Sequence, residues 1–162
     1  IFFPSYQYME IVYGRFLEEE MPVHAIIQKT GMDEREREEF LDAFQPNASG
    51  TLLGFAVMGG IFSEGIDLQG DRLNGVFVVG VGLPQIGFER DMMKAYFQQQ
   101  GKNGYDYAYT YPGMNKVLQA GGRLIRSEND TGMIVLMDDR YLQAKYQTLL
   151  PDEWKDSILL RS

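Results

Sequence analysis

The sequence predicts an α/β domain in which a largely parallel sheet is flanked by helices. Five runs of β-forming residues lie at 1–5, 23–28, 52–58, 76–83 and 133–137, and most are continuously apolar. Continuous apolar runs are typical of parallel strands that are covered on both faces. Helical or loop segments separate the runs, and this alternation indicates βαβ units in a doubly wound, three-layer arrangement.

The segments between the runs have helical character. Helices are expected at 6–20, 33–44, 88–100 and from about 115 to 126, with an amphipathic stretch after Asp138 and a short terminal helix from Pro151. Asp33 and Glu34 lie in the first turn of the second helix, where negative charge complements the helix dipole. Gly101 ends the third helix. No internal repeat or linker interrupts the pattern, so one domain over 1–162 is expected.

Composition sets limits on the class of protein. The chain has 162 residues, 44% of them apolar, and no apolar run approaches the roughly 20 residues that span a bilayer. It contains no cysteine, which excludes thiolate metal sites, iron–sulfur ligation and cysteine nucleophiles and fits a cytoplasmic location. It opens on Ile1 without an initiator Met or a signal segment, which suggests a piece of a longer protein with no membrane partner.

The charge balance argues against one class of function. The formal net charge is −8, whereas free-standing nucleic-acid binders usually carry a basic surface. The acidic runs at 18–20 and 33–39 are expected to be solvated helix faces, and they account for much of the acidity.

The segment 119–126, QAGGRLIR, carries a candidate anion-binding stripe. On one helix, Gln119, Arg123 and Arg126 would fall within about 60° of each other. Two arginines one turn apart can grip a polyphosphate at several oxygens. Gly121 and Gly122 each cost a helix about 1 kcal/mol, which indicates close approach by another surface. The alternative is a solvent-exposed basic stripe that pairs with local acids.

The segment 59–67, GGIFSEGID, directly follows the third run. Its glycines allow a sharp turn and close approach to a ligand. Ser63, Glu64 and Asp67 offer a hydroxyl and carboxylates to a ribose, a phosphate-bound water or an arginine. The alternative is a strand-to-helix turn in which Ser63 is the N-cap.

The segment 2–6, FFPSY, ends the first run. Pro4 terminates strand pairing, and Ser5 can cap the following helix or help its backbone N–H groups hold a phosphate. Since ligands of parallel sheets meet the carboxyl ends of strands, all three segments are expected at that edge.

Other residues favour structural roles. His24, the single histidine, lies in or beside an apolar strand and is expected to be partly buried. Tyrosines alternate at 105, 107, 109 and 111; base stacking is one interpretation, and a loop packed over helix and sheet is the favoured one. The run 80–87, GVGLPQIG, lacks the glycine spacing of a dinucleotide loop. The chain also lacks a phosphate-binding loop with its Lys-Ser/Thr ending and a convincing Mg²⁺-holding carboxylate pair.

Taken in order, these motifs resemble the C-terminal motor domain of XPD/DinG-type superfamily 2 helicases, a RecA-like fold. The segments 2–6, 59–68 and 119–128 resemble that family's motifs IV, V and VI. Residues 82–84 (GLP), 138–141 (DDRY) and 150–154 (LPDEW) resemble further elements of it, so the resemblance spans nearly the whole chain. Gly121 departs from the alanine or other small residue expected there, and the arginine spacing is unaffected.

The resemblance implies a second motor lobe of an ATP-dependent DNA helicase, with a role in DNA repair and without ATPase activity on its own. Arg123 and Arg126 would complete the ATP site and Gln119 would position water or the arginines. Nucleotide binding and coupling would fall to Ser63, Glu64, Gly65, Asp67 and Gly122. Ser5 and Tyr6 would touch single-stranded DNA, with RNA not excluded. ATP with Mg²⁺ would be bound mainly by the first RecA-like lobe of the same polypeptide, and no metal ligand is expected in this chain.

Two other functions are compatible with the pattern. One is a non-catalytic RecA-like module that binds nucleic acid or protein, although both arginines with Glu64 and Asp67 argue against it. The other is a small-molecule enzyme on a Rossmann-like sheet, which would bind a cofactor such as NAD.

Overall fold

The computed structural model describes residues 1–46, 49–62, 68, 72–124 and 131–160. Five strands form one sheet in the order β2-β3-β1-β4-β5, and every recorded pairing is parallel. The elements are β1 (Phe2–Phe3), α1 (Tyr6–Glu18), β2 (His24–Ile27), α2 (Glu34–Asp42), β3 (Leu52–Val57), β4 (Gly75–Val79), α3 (Phe88–Gln99), α4 (Tyr111–Gly121), β5 (Met133–Met137) and α5 (Ala144–Gln147). The predicted α/β class and all five predicted strands are confirmed.

Alternate residues of the strands point to two apolar layers, which explains why the strands are apolar throughout. Phe3 and Phe55 pack with α1 on one face, where their rings stack 5.6 Å apart. Phe2, Val76 and Val78 face the other side, where α2, α4 and the C-terminal elements cover them. Deleting a buried ring of this kind typically costs about 3–5 kcal/mol. The layers on both faces make the three-layer arrangement.

The first helix begins directly after its predicted cap, Ser5, and the second begins at Glu34, one residue later than predicted. The Ser5 hydroxyl accepts a hydrogen bond from the Tyr8 amide at 3.2 Å, which fixes the start of α1. Asp33 caps α2 in a reciprocal arrangement with Glu36. The acidic residues at 18–20 are exposed, as expected for a solvated helix end.

The tyrosine-rich segment is helical, so the loop interpretation was wrong. Asp106–Thr110 form a π-helix that leads directly into α4. Pro112 lacks the N–H that would bond the Ala108 carbonyl, and the Arg90 guanidinium donates to that carbonyl at 3.3 Å instead. Because the segment is helical, the tyrosines do not form one alternating face. Tyr107 stacks on Phe97 of α3 at 4.2 Å.

The fourth helix starts earlier and ends earlier than expected. It runs from Tyr111 to Gly121, and tighter turns follow, in which the Arg123 amide donates to the Ala120 carbonyl. Gln119 therefore lies on the helix and Arg123 lies after its end. The expectation that Gln119, Arg123 and Arg126 share one helix face is wrong for Arg123, and Arg126 lies outside the described residues.

The C-terminal elements pack against the end of α4. A Cβ on Gly121 would clash with the Trp154 ring, which belongs to a short 3₁₀ turn, Asp152–Trp154. The expected close approach at Gly121 is thus made by a side chain of the same domain. Gly122 is exposed.

Candidate functional site

The carboxyl edge of the sheet begins with the end of β1. Phe3 is followed by Pro4 and then by Ser5, whose hydroxyl caps α1. Ser5 and Tyr6 are both half-buried at this edge. Their predicted contact with nucleic acid is untested, and their location at the carboxyl edge agrees with the expectation.

A buried amide joins three elements at this edge, and no local sequence pattern indicates it. The Gln28 side chain, 2% exposed, accepts a hydrogen bond from the Val57 amide at 2.9 Å. Its Nε2 donates to the Tyr6 hydroxyl oxygen at 2.7 Å. The end of β2, the end of β3 and the start of α1 are therefore fixed to one another. The partners are 22 and 29 residues away in the sequence, so local patterns could not reveal them.

The loop after β3 also lies at the carboxyl edge. Gly59 has a φ of 70°, and the Lys116 side chain lies so close that a Cβ on Gly59 would sit 3.0 Å from its Cε. Glycine is therefore needed for the backbone conformation, while the flexible end of Lys116 can shift away from an added Cβ. The predicted nucleotide-binding and coupling residues of this segment, Ser63, Glu64, Gly65 and Asp67, lie outside the described residues.

An ion pair and a tyrosine complete the carboxyl edge at β4 and β5. Arg140 donates to both carboxylate oxygens of Asp138, at 2.8 and 2.7 Å. This side-chain hydrogen bonding holds the pKa of the Asp138 carboxyl below its usual value. The Tyr141 hydroxyl donates to the Gly80 carbonyl at 2.7 Å, and burial raises its pKa. The DDRY segment thus anchors the chain that leaves β5.

Arg123 lies at the opposite, amino edge of the sheet, directly after the helix that carries Gln119, so the expected location of this segment at the carboxyl edge was wrong for Arg123. Arg123 is half-buried and lines a cavity of about 600 Å³ together with the first residues of strands, among them Phe2, Leu52, Gly75 and Met133. Topology explains the location. A helix that joins parallel strands returns to the amino edge before the next strand starts, and this rule was available from the sequence.

The predicted site residues therefore form two groups. Ser5 and Tyr6 lie at the carboxyl edge, while Gln119, Gly122 and Arg123 lie at or near the amino end of the sheet. β3 has six residues, so the two edges are roughly 20 Å apart. α4, which is about 16 Å long, covers most of this distance: its first turns contact Val81 and Leu83 after β4, and its last turn leads to Arg123.

The ranges that the structure describes contain no group of three or more histidine or acidic side chains arranged to hold a metal ion. Within the same ranges, no helix combines the length and the apolar character that crossing a membrane requires.

Comparison with known proteins identifies the class. The family model described as the helicase C-terminal domain matches residues 1–157. The ATP-dependent DNA helicase CHL1 of Kluyveromyces lactis is 33% identical over 95% of this chain and 21% of its own length. CHL1 of Debaryomyces hansenii is 29% identical over 99% of the chain and 22% of its own length. The ATP-dependent DNA helicase DinG of Photobacterium profundum is 35% identical over 57% of the chain and 14% of its own length.

Solved structures agree on the fold. A structure titled XPD_Helicase superposes with a TM-score of 0.67 at 24% identity, covering 90% of this chain and 25% of that chain. The structure of Xpd4 from S. tokodaii gives a TM-score of 0.58 at 21% identity and covers 94% of this chain and 28% of that one. The chain belongs to the helicase C-terminal domain family of XPD/DinG-type superfamily 2 helicases. It spans about a fifth of the length of the CHL1 relatives.

Proposed function

We propose that the chain is the second motor lobe of a longer ATP-dependent DNA helicase. In this role Arg123 and Arg126 complete an ATP site on the first RecA-like lobe, and the carboxyl edge contacts single-stranded DNA. ATP is bound mainly by the first lobe, together with Mg²⁺. The family membership and the relatives named as ATP-dependent DNA helicases support this role.

The observation that carries the proposal is the separation of the two groups of residues. Arg123 lies at the amino edge, and Ser5 and Tyr6 lie at the carboxyl edge, with α4 extending between them. A motor needs its nucleotide site and its nucleic-acid track to be distinct and mechanically connected. An arginine that reaches a transferring phosphoryl group stabilises its charge and can contribute about 10³–10⁵ in rate. Gln119, with Ser63, Glu64, Gly65, Asp67 and Gly122, is assigned to water positioning and coupling.

Some of the acidic side chains behind the net charge of −8 form ion pairs within the domain. The α2 residues Glu34 and Glu39 are exposed and pair with Arg37 and Arg35. A lobe that supplies one wall of a groove also needs fewer cations than a free-standing binder, because the other lobe contributes the rest of the contacts with phosphate. The lobe alone is therefore expected to bind single-stranded DNA weakly.

The test uses the full-length parent protein. Arg126→Ala should lower DNA-stimulated kcat by about 10³-fold or more and leave ATP affinity within roughly tenfold, because the arginine acts mainly on the more charged transition state. Arg126→Lys should not restore turnover, since an ammonium lacks the planar fork that engages two oxygens.

The matched control is Arg35→Ala, which removes an exposed arginine whose recorded partner, within the part of the chain that the structure describes, is Glu39 on the same helix. It should leave kcat unchanged. A folded Arg126→Ala parent with near-normal kcat would remove Arg126 from the catalytic residues and leave Arg123 as the candidate finger.

A further inference from the structure

The Gln28 amide has a single orientation that its surroundings permit. The Val57 backbone N–H can only donate, so the Gln28 oxygen must face it, as it does at 2.9 Å. The NH₂ group then necessarily faces Tyr6, at 2.7 Å from the hydroxyl oxygen. The side chain is 2% exposed, so water cannot readily replace these bonds.

This orientation determines the role of the Tyr6 hydroxyl. A hydroxyl has one proton to donate and an oxygen that accepts. Because Gln28 donates to the oxygen, the proton is directed elsewhere. Among the residues that the structure describes, Gln28 is the recorded hydrogen-bond partner of this hydroxyl. The half-buried Tyr6 ring, at the carboxyl edge beside the Ser5 cap, can therefore offer a donor to a ligand at that edge.

We infer that Gln28 is a positioning residue that makes the Tyr6 hydroxyl a hydrogen-bond donor to a phosphate oxygen of the nucleic-acid backbone. The inference rests on the proposed function, which assigns single-stranded DNA to this edge. Backbone phosphate oxygens are acceptors only, so a hydroxyl that must donate is matched to them. The Gln28 amide also links Tyr6 to the end of β3 by hydrogen bonds. The end of β3 leads to Gly59 and then to residues 63–67, which are assigned to coupling.

The experiment reverses the direction of one hydrogen bond without removing it. In Gln28→Glu, a carboxylate can accept from both the Val57 amide and the Tyr6 hydroxyl, so the tie remains and the hydroxyl proton is no longer offered to the ligand. Tyr6→Phe removes the hydroxyl altogether. The measured quantity is the concentration of single-stranded DNA that half-saturates ATPase stimulation of the full-length parent, at pH 8, with the melting temperature recorded for each variant.

Both Gln28→Glu and Tyr6→Phe should raise the half-saturating DNA concentration by about fivefold, the loss expected for one hydrogen bond. The double variant should show the same increase as either single variant, because Gln28 acts through the hydroxyl. The double variant also distinguishes the positioning of the Tyr6 hydroxyl from electrostatic repulsion of DNA by the new carboxylate. Repulsion would add to the effect of Tyr6→Phe, whereas loss of positioning would not.

The control is Tyr13→Phe, which removes a hydroxyl of the same helix that donates to the Ala25 carbonyl at 3.2 Å. It should leave the half-saturating concentration unchanged. If Gln28→Glu melts below the assay temperature, Gln28→Met replaces it. Methionine frees the Tyr6 hydroxyl without capturing its proton, so the half-saturating concentration should rise by less than in Tyr6→Phe, and no rise at all would overturn the inference.

Two results would overturn the inference alone. One is a half-saturating DNA concentration for Gln28→Glu within twofold of the wild-type value. The other is a double variant in which the increase in that concentration is the product of the two single increases. A folded wild-type parent whose ATPase is not stimulated by single-stranded DNA would instead overturn the proposed function, and the inference with it.

Discussion

The two edges of the sheet differ in the polar side chains that they carry and in the partners proposed for them. At the carboxyl edge, Tyr6, Gln28, Asp138 and Arg140 are fixed by hydrogen bonds of 2.7–2.9 Å within the domain. At the amino edge, Arg123 follows the last helical turn and lines a cavity of about 600 Å³. The carboxyl edge is thus organised by its own chain, as suits contact with a continuous track. The amino edge presents an arginine whose proposed substrate is held by another lobe.

The connection between the edges depends on how closely α4 packs at its first turns. A Cβ on Gly113 would lie 2.6 Å from the Val81 carbonyl oxygen, a backbone atom that cannot move aside cheaply. Gly113→Ala should therefore lower the free energy of unfolding by about 1–3 kcal/mol, as overpacking does. Urea denaturation of the purified chain measures this value.

Gly14→Ala is the matched control, because Gly14 lies inside α1 with no atom within 4 Å of an added Cβ. It should stabilise the chain by about 0.5–1 kcal/mol, since alanine favours a helix interior. Equal changes in the free energy of unfolding for Gly113→Ala and Gly14→Ala would show that α4 does not pack tightly against the carboxyl edge.

A pH-dependent effect should appear at the amino edge of the isolated chain, where its free Ile1 amine donates to the Gly54 carbonyl at 2.7 Å. Burial lowers the pKa of this amine from 8.0 to about 5. The unfolded chain therefore binds more protons than the folded chain between pH 5 and 8. Stability from this group is fully present above pH 8 and is lost as the pH falls towards 5.

The melting temperature of the chain that starts at Ile1 should accordingly rise between pH 5.5 and 8. N-terminal acetylation removes the titrating charge and keeps an N–H donor, so it should reduce that rise. An unchanged pH profile after acetylation would show that the amine is solvated in the folded chain.

The sequence was most informative where structure is local. Continuous apolar runs located the five strands, and Ser5 was predicted as the cap of α1. The acidic first turn at Asp33 and Glu34 located the start of α2 to within one residue. The π-helix was missed because tyrosine alternation resembles an extended segment, although Pro112 after a helical stretch requires a partner for the Ala108 carbonyl.

The candidate site was predicted less completely than the fold. Ser5 and Tyr6 lie at the expected edge, while Arg123 lies at the other one, because the helix that joins β4 to β5 returns the chain to the amino edge. Gln28 was missed since its partners are distant in sequence. The roles of Arg126, Ser63, Glu64, Gly65 and Asp67 stay predictions, as does a cytoplasmic location.

The central claim is that the two edges serve different steps, and one titration tests it directly. The ATPase of the full-length parent is measured against single-stranded DNA concentration for Arg123→Ala and Tyr6→Phe. Arg123→Ala should lower kcat by at least about 10³-fold. Its half-saturating DNA concentration should stay near the wild-type value. Where turnover is too slow to measure, fluorescence anisotropy gives the DNA affinity instead. Tyr6→Phe should raise the half-saturating concentration about fivefold with near-normal kcat. If both variants lowered kcat, or both raised the half-saturating DNA concentration, to a similar extent, the separation of the nucleotide and nucleic-acid edges would be contradicted.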